Sequence, residues 1–200
     1  MKRIWVILLL ASAVRGADVT LLMTGQTMVP QLVLMAATYQ ATRMFAGIGV
    51  RLESKKENAP SRSEGMVIQV RFIDDTPGHP EAFAFSNPFD PVPVVTVIYK
   101  RILSATERSP ERRAAILAHV LVHEIGHLLM RTDGHSPDGV MKAHWSRADQ
   151  TWMSYSPLPF LPDDVVMIRS GLALSSAIPV LKPRQTPAQR SFSTNPSNVH

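Results

Sequence analysis

There is no cysteine among the 200 residues. A disulfide framework, a thiolate metal site and a cysteine nucleophile are therefore all excluded. Aromatic residues are scarce, at 6%, and glutamate does not occur after Glu124. Any chemistry that needs a carboxylate from the second half of the chain must use aspartate. Apart from the leader discussed below, no run approaches the ~20 apolar residues that cross a bilayer, which speaks against an intramembrane enzyme. There is no internal repeat. Neither sign of charge dominates once the ends are set aside. Of the formal +5, Lys2, Arg3 and Arg15 lie in the first 16 residues and Lys182, Arg184 and Arg190 in the last 19. The segment between is slightly acidic, and no nucleic-acid face is expected.

What is present begins at the N-terminus. Lys2 and Arg3 precede an apolar run over 4–10, followed by the small residues Ala11, Ser12 and Ala13. That three-part layout predicts a secretory leader over 1–16, with a secreted or periplasmic product that keeps no membrane insertion after cleavage. Residues 17–174 make one domain, and the Pro, Ser, Gln and Arg content from 175 to 200 predicts a disordered tail.

Within the domain, Pro30 and the spacing of Leu32, Met35, Ala36, Tyr39 and Phe45 predict an amphipathic helix ending near Gly47. A first strand is possible over 19–23 and another over 48–52. Residues 66–73 are a firm strand, rich in β-branched side chains. Residues 81–85 suggest a short strand. Pro93 heads the run Val94, Val95, Thr96, Val97, Ile98 and Tyr99. A proline at the head of a strand suits a sheet edge, so this run is expected to be the edge that receives an extended peptide. Ser109, Pro110 and Glu111 supply a cap, a first-turn proline and a first-turn acid. The helix they open should run to Met130, apolar on nearly every side and hence buried. Pro162-Asp163-Asp164 opens a short last helix of about ten residues, through Leu174. The order of elements is that of an α+β domain with a small mixed sheet.

The chemistry concentrates in the buried helix. His123 and His127 stand one turn apart on one face, with Glu124 beside the first. Two imidazoles so placed can hold a zinc ion, with the glutamate next to its water. A zinc hydrolase needs a third protein ligand and one open position. The absence of later glutamate excludes the zinc peptidases that take a downstream glutamate as that ligand. His119 lies a turn earlier on the same stripe, as a hydrogen-bonded core histidine or a support to the ligands. His144 is expected at the surface or in the pocket.

His135-Ser136, followed by Asp138-Gly139-Val140-Met141, resembles the stretch leading to the methionine turn of the metzincins, and among them of the matrixins. The aspartate pair Asp163-Asp164 is similar to the opening of their final helix. The resemblance covers most of 30–174, with 119–141 its specific part. It implies a metzincin-like zinc peptidase fold, Met141 packed beneath the metal without ligating it, and a polypeptide laid along the edge strand. It further implies an endopeptidase, expected as a monomer, in which Glu124 acts as general base toward a zinc-activated water. The chain departs from the family's spacing, which would put glycine at position 130 and the third histidine at 133, where Met130 and Asp133 stand. His135, two residues later, is the preferred third ligand and Asp133 the alternative. Two other readings stay open: a secreted zinc-binding module without proteolytic activity, and a zinc hydrolase acting on a non-protein amide.

Overall fold

The computed structural model describes residues 18–56, 65–79, 81–106 and 109–177. The leader over 1–16 and all but the first three residues of the expected tail lie outside them. Strand β1 (Val19–Thr24) is followed by a 3-10 turn and helix α1 (Gln31–Gly47), then β2 (Leu52–Lys56), β3 (Met66–Ile73), β4 (Ala84–Ser86) and β5 (Val94–Ile98). Helices α2 (Tyr99–Thr106), α3 (Pro110–Met130), α4 (Arg147–Trp152) and α5 (Pro162–Ala177) complete the chain.

The five strands form one mixed sheet in the order β2-β1-β3-β5-β4. All neighbours are parallel except β4, which runs antiparallel to β5 through the pairs Ala84–Val97, Phe85–Thr96 and Ser86–Val95. This corrects the expected edge. Val94 to Ile98 is flanked on both sides, by β3 and β4, and the outermost strand is β4. Pro93 is tolerated because it stands just before the ladder and contributes only its carbonyl, which accepts from Gln69 N–H at 2.9 Å. Tyr99 is a second correction. It opens α2 instead of ending the strand, and its ring is buried.

Two boundaries also move. The expected strand over 48–52 starts at Leu52 instead, because Gly49 turns the chain with a φ of 80°. Helix α5 runs 16 residues, past Leu174, because Gly171 lets it lie directly on α3. A Cβ at Gly171 would meet Leu129 O at 1.8 Å.

Helix α3 is the spine. Ser109 caps it by accepting from Arg112 N–H, with Pro110 and Glu111 in the first turn. It is long and apolar enough to cross a membrane by composition, a point that a search for uninterrupted apolar runs overlooks. In the fold, 89% of that window is buried, packed against α1, α5 and the strands β4 and β5. Burying a helix on all sides leaves its polar groups to be satisfied by neighbouring elements. This requirement builds the site.

Candidate metal centre

His123 and His127 meet with their Nε2 atoms 3.0 Å apart. The other nitrogen of each ring is already committed. His123 Nδ1–H donates to Val140 O at 2.9 Å, and His127 Nδ1–H donates to Thr132 O at 2.8 Å. A carbonyl only accepts, so in both rings Nδ1 carries the proton and Nε2 presents a lone pair. Burial pushes His123 down to about 4 and lowers His127 as well, so both rings are neutral at pH 7. Two lone pairs facing each other cannot hydrogen-bond. A cation resolves the clash, and tetrahedral zinc at about 2.0–2.1 Å from each nitrogen would separate them by about 3.3 Å.

His135 is the third member. Its ring lies 5.3 Å from His123 and 4.8 Å from His127 by centroids, and the ligand atoms of the three all fall within 4.8 Å of one another. Among the described residues this is the metal-ligand cluster found, and Asp133 is not part of it. Asp133 is near enough to raise the pKa of both His127 and His135 by its charge, against the lowering that burial produces.

The displaced spacing has a structural explanation. Helix α3 continues through Met130, where the metzincin pattern would place glycine, and the chain reverses one residue later at Arg131. Arg131 is left-handed, with φ 56° and ψ 44°, the one non-glycine residue with positive φ among those described. Thr132 N–H bonds back to His127 O while His127 Nδ1–H bonds Thr132 O, so the candidate ligand and the reversal hold each other. Beyond the reversal, Gly134 N–H bonds the Thr132 hydroxyl at 3.0 Å. Beyond His135, Ser136 donates its hydroxyl to Asp164, whose other oxygen accepts Leu161 N–H. Asp164, the second aspartate of the pair at the start of α5, thus serves the loop that carries His135.

Met141 is fully buried against α3. Its sulfur packs so closely on Gly126 that a Cβ there would lie 2.6 Å from it. The turn before it needs Gly139, which has a φ of 74° and backs onto Pro159 O. Val140 N–H donates to that same Pro159 carbonyl at 2.8 Å. His119 supports the arrangement from below: Nδ1–H donates to Ala115 O at 2.7 Å and Nε2 accepts Leu158 N–H at 2.9 Å. A continuous set of bonds therefore joins His119, the 158–159 segment, Val140 and the ring of His123.

Glu124 sits on the wall of a cleft of about 430 Å³, together with His123, His135, Val120, His144, Trp145, Gln150 and the 81–84 segment. Its Oε2 accepts the Ser86 hydroxyl at 2.7 Å. Burial pushes the carboxyl up to about 7, and the Ser86 bond pulls the other way. Lys142, also in the wall, is paired with Asp149 at 3.0 Å. Asp149 in turn caps α4 with Ser146. Of the aromatic residues between positions 145 and 160, Trp145 reaches the cleft, its ring edge-on to His123 at 5.4 Å. Trp152 and Tyr155 are exposed and Phe160 packs on Phe45.

Two features escaped the sequence. Ser86 carries no motif and stands 38 residues from the carboxylate it bonds. The short strand expected over 81–85 is present as β4, Ala84–Ser86, but its place at the sheet edge beside the cleft carried no signal. Val94 to Ile98 and Tyr99 do not line the cleft.

No family model matches the chain, and no curated protein matches it by sequence. Among solved structures it is similar to archaemetzincin from Methanopyrus kandleri, with a TM-score of 0.52 and 16% identity. The match covers 79% of this chain and 96% of that one. At that identity the likeness is one of architecture alone. The chain thus combines the fold of archaemetzincin with a three-histidine cluster suited to a metal.

Proposed function

We propose that this chain is a zinc-dependent peptidase, exported by its N-terminal leader, with His123, His127 and His135 as metal ligands and Glu124 as general base. The observation that carries the reading is the pair of unprotonated Nε2 atoms 3.0 Å apart, each fixed by an Nδ1–H to carbonyl bond. Outer bonds of this kind set tautomer and ring orientation in zinc sites. The matrixin-like stretch from His135 to Met141 and the likeness to archaemetzincin support the same reading.

Zinc held there would supply Lewis acidity toward a scissile carbonyl and a more acidic water. The chain's own residues do the rest. Among the described residues no hydrogen-bond donor engages Glu124 Oε1, and Glu124 belongs to the cleft wall. It is placed to accept the attacking water's proton and return it to the leaving nitrogen. The substrate lies along β4, whose outer edge is unpaired in the sheet, by main-chain hydrogen bonds. Three residues of edge strand call for a short extended stretch of polypeptide, while Val120 and Trp145 supply apolar wall.

The test is zinc content and hydrolysis of a peptide library by the wild type and Glu124→Gln, each with and without chelator. One equivalent of zinc, cleavage abolished by chelator and restored by zinc, and loss of cleavage in Glu124→Gln are expected. Stoichiometric zinc with no cleavage of any peptide would leave a zinc-binding module or an amidase of non-protein substrates.

A further inference from the structure

We propose that Ser86 is a positioning residue for Glu124, coupling the edge strand to the general base. The inference rests on the peptidase reading for what Glu124 does, and on geometry alone for how it is held. A glutamate side chain has three rotatable torsions, so a buried carboxylate reaches one orientation only if something fixes it. The Ser86 hydroxyl does so from the last residue of β4. It lies 2.7 Å from Glu124 Oε2 and 3.3 Å from Glu124 O. A hydroxyl has one proton to give, and the shorter contact to the carboxylate takes it.

Direction matters as much as distance. Glu124 lines the cleft and Ser86 does not, so the bond comes from the protein side. It holds Oε2 and leaves Oε1 without a hydrogen-bond partner among the described residues. Ser86 also pairs with Val95 in the ladder, which ties its position to the sheet. The strand whose free edge receives the substrate is then the strand that orients the carboxylate. Because a misplacement of about 1 Å in a reacting group costs on the order of 100-fold in rate, one such bond is enough to matter.

The experiment uses the full chain loaded with zinc, as wild type, Ser86→Ala, Ser86→Thr, Glu124→Ala and the Ser86→Ala/Glu124→Ala double variant. Acetohydroxamate is the probe. It chelates zinc and offers protons to a neighbouring carboxylate, and its affinity is read by calorimetry without turnover. Ser86→Ala is expected to weaken it roughly 3–10-fold in the wild-type background and less than about twofold in the Glu124→Ala background, the signature of an interaction made through one partner. Zinc content should stay at one equivalent in Ser86→Ala, and Ser86→Thr should restore affinity. On a cleaved peptide, kcat should fall about 10–100-fold with KM within about twofold. Equal weakening in both backgrounds would overturn the proposal, as would zinc loss in Ser86→Ala or wild-type affinity in that variant. If the wild type binds hydroxamate with this coupling yet cuts nothing, the peptidase reading fails and the role of Ser86 stands.

Discussion

Acid should weaken this fold through His119, a residue that touches no metal. Its ring is fully buried, donates from Nδ1 to Ala115 O and accepts Leu158 N–H at Nε2. Protonation would turn that acceptor into a donor facing a donor, in an apolar surround. Burial accordingly pushes its pKa down to about 4, from 6.5. A depressed histidine contributes stability that is fully present above pH 6.5 and is lost as pH falls through that value toward 4. Linkage over the interval from pH 7 to pH 4.5 gives a loss of about 2 kcal/mol. His119→Gln keeps an acceptor near the Nε2 position and cannot titrate. It should cost about 1 kcal/mol at pH 7 for imperfect geometry and close that gap at pH 4.5. The assay is urea unfolding at both pH values, with chelator throughout, followed by the fluorescence of Trp145, whose ring lies 6.3 Å from His119. His123, also near 4, and Glu124, raised to about 7 and so opposite in sign, are common to both proteins and cancel in the difference. If the stability difference between wild type and His119→Gln moves by less than about 0.5 kcal/mol between the two pH values, the assigned burial and bonding of His119 are wrong.

Other consequences follow from single positions. His135→Ala should reduce zinc affinity at least about 100-fold while Asp133→Ala changes it less than about threefold, measured by competition with a chromogenic chelator; the reverse order would make Asp133 the ligand. Arg131→Gly should raise stability by about 0.5–1 kcal/mol, because glycine adopts the left-handed reversal without Cβ strain, and a fall in the urea midpoint would contradict that backbone. Gly171→Ala should lower stability by at least about 2 kcal/mol by driving a methyl group into Leu129 O, again read in urea. Gly139→Ala should both destabilise the chain and weaken zinc binding, since the turn it distorts carries Val140 O, the partner of His123.

Much of the site was legible because it is local. The i and i+4 positions of a helix share a face whatever surrounds them, so His123 and His127 could be placed together from spacing alone, with Glu124 next to the first in the chain. The same holds for the cap at Ser109, the first-turn Pro110 and the strand over 66–73, whose signals lie within a few residues of the structure they specify. The aspartates opening α5 were visible too, though not that one of them anchors Ser136.

Tertiary structure decided the rest, for one physical reason: these features depend on which distant segments pair. Which strand lies outermost is a property of the sheet, so the proline-headed run over 94–98 ended up interior and a three-residue strand took the edge. With that edge came Ser86 against Glu124, across 38 residues. The reach of His135 depended on a left-handed arginine, which no propensity would favour and which the His127–Thr132 bonds hold in place. The two nitrogens that prepare His123 and His127 for a metal are set by the carbonyls of Val140 and Thr132. The sequence by itself determined the helix and which candidate ligands it carries; the packing of turns around that helix determined which atoms they present.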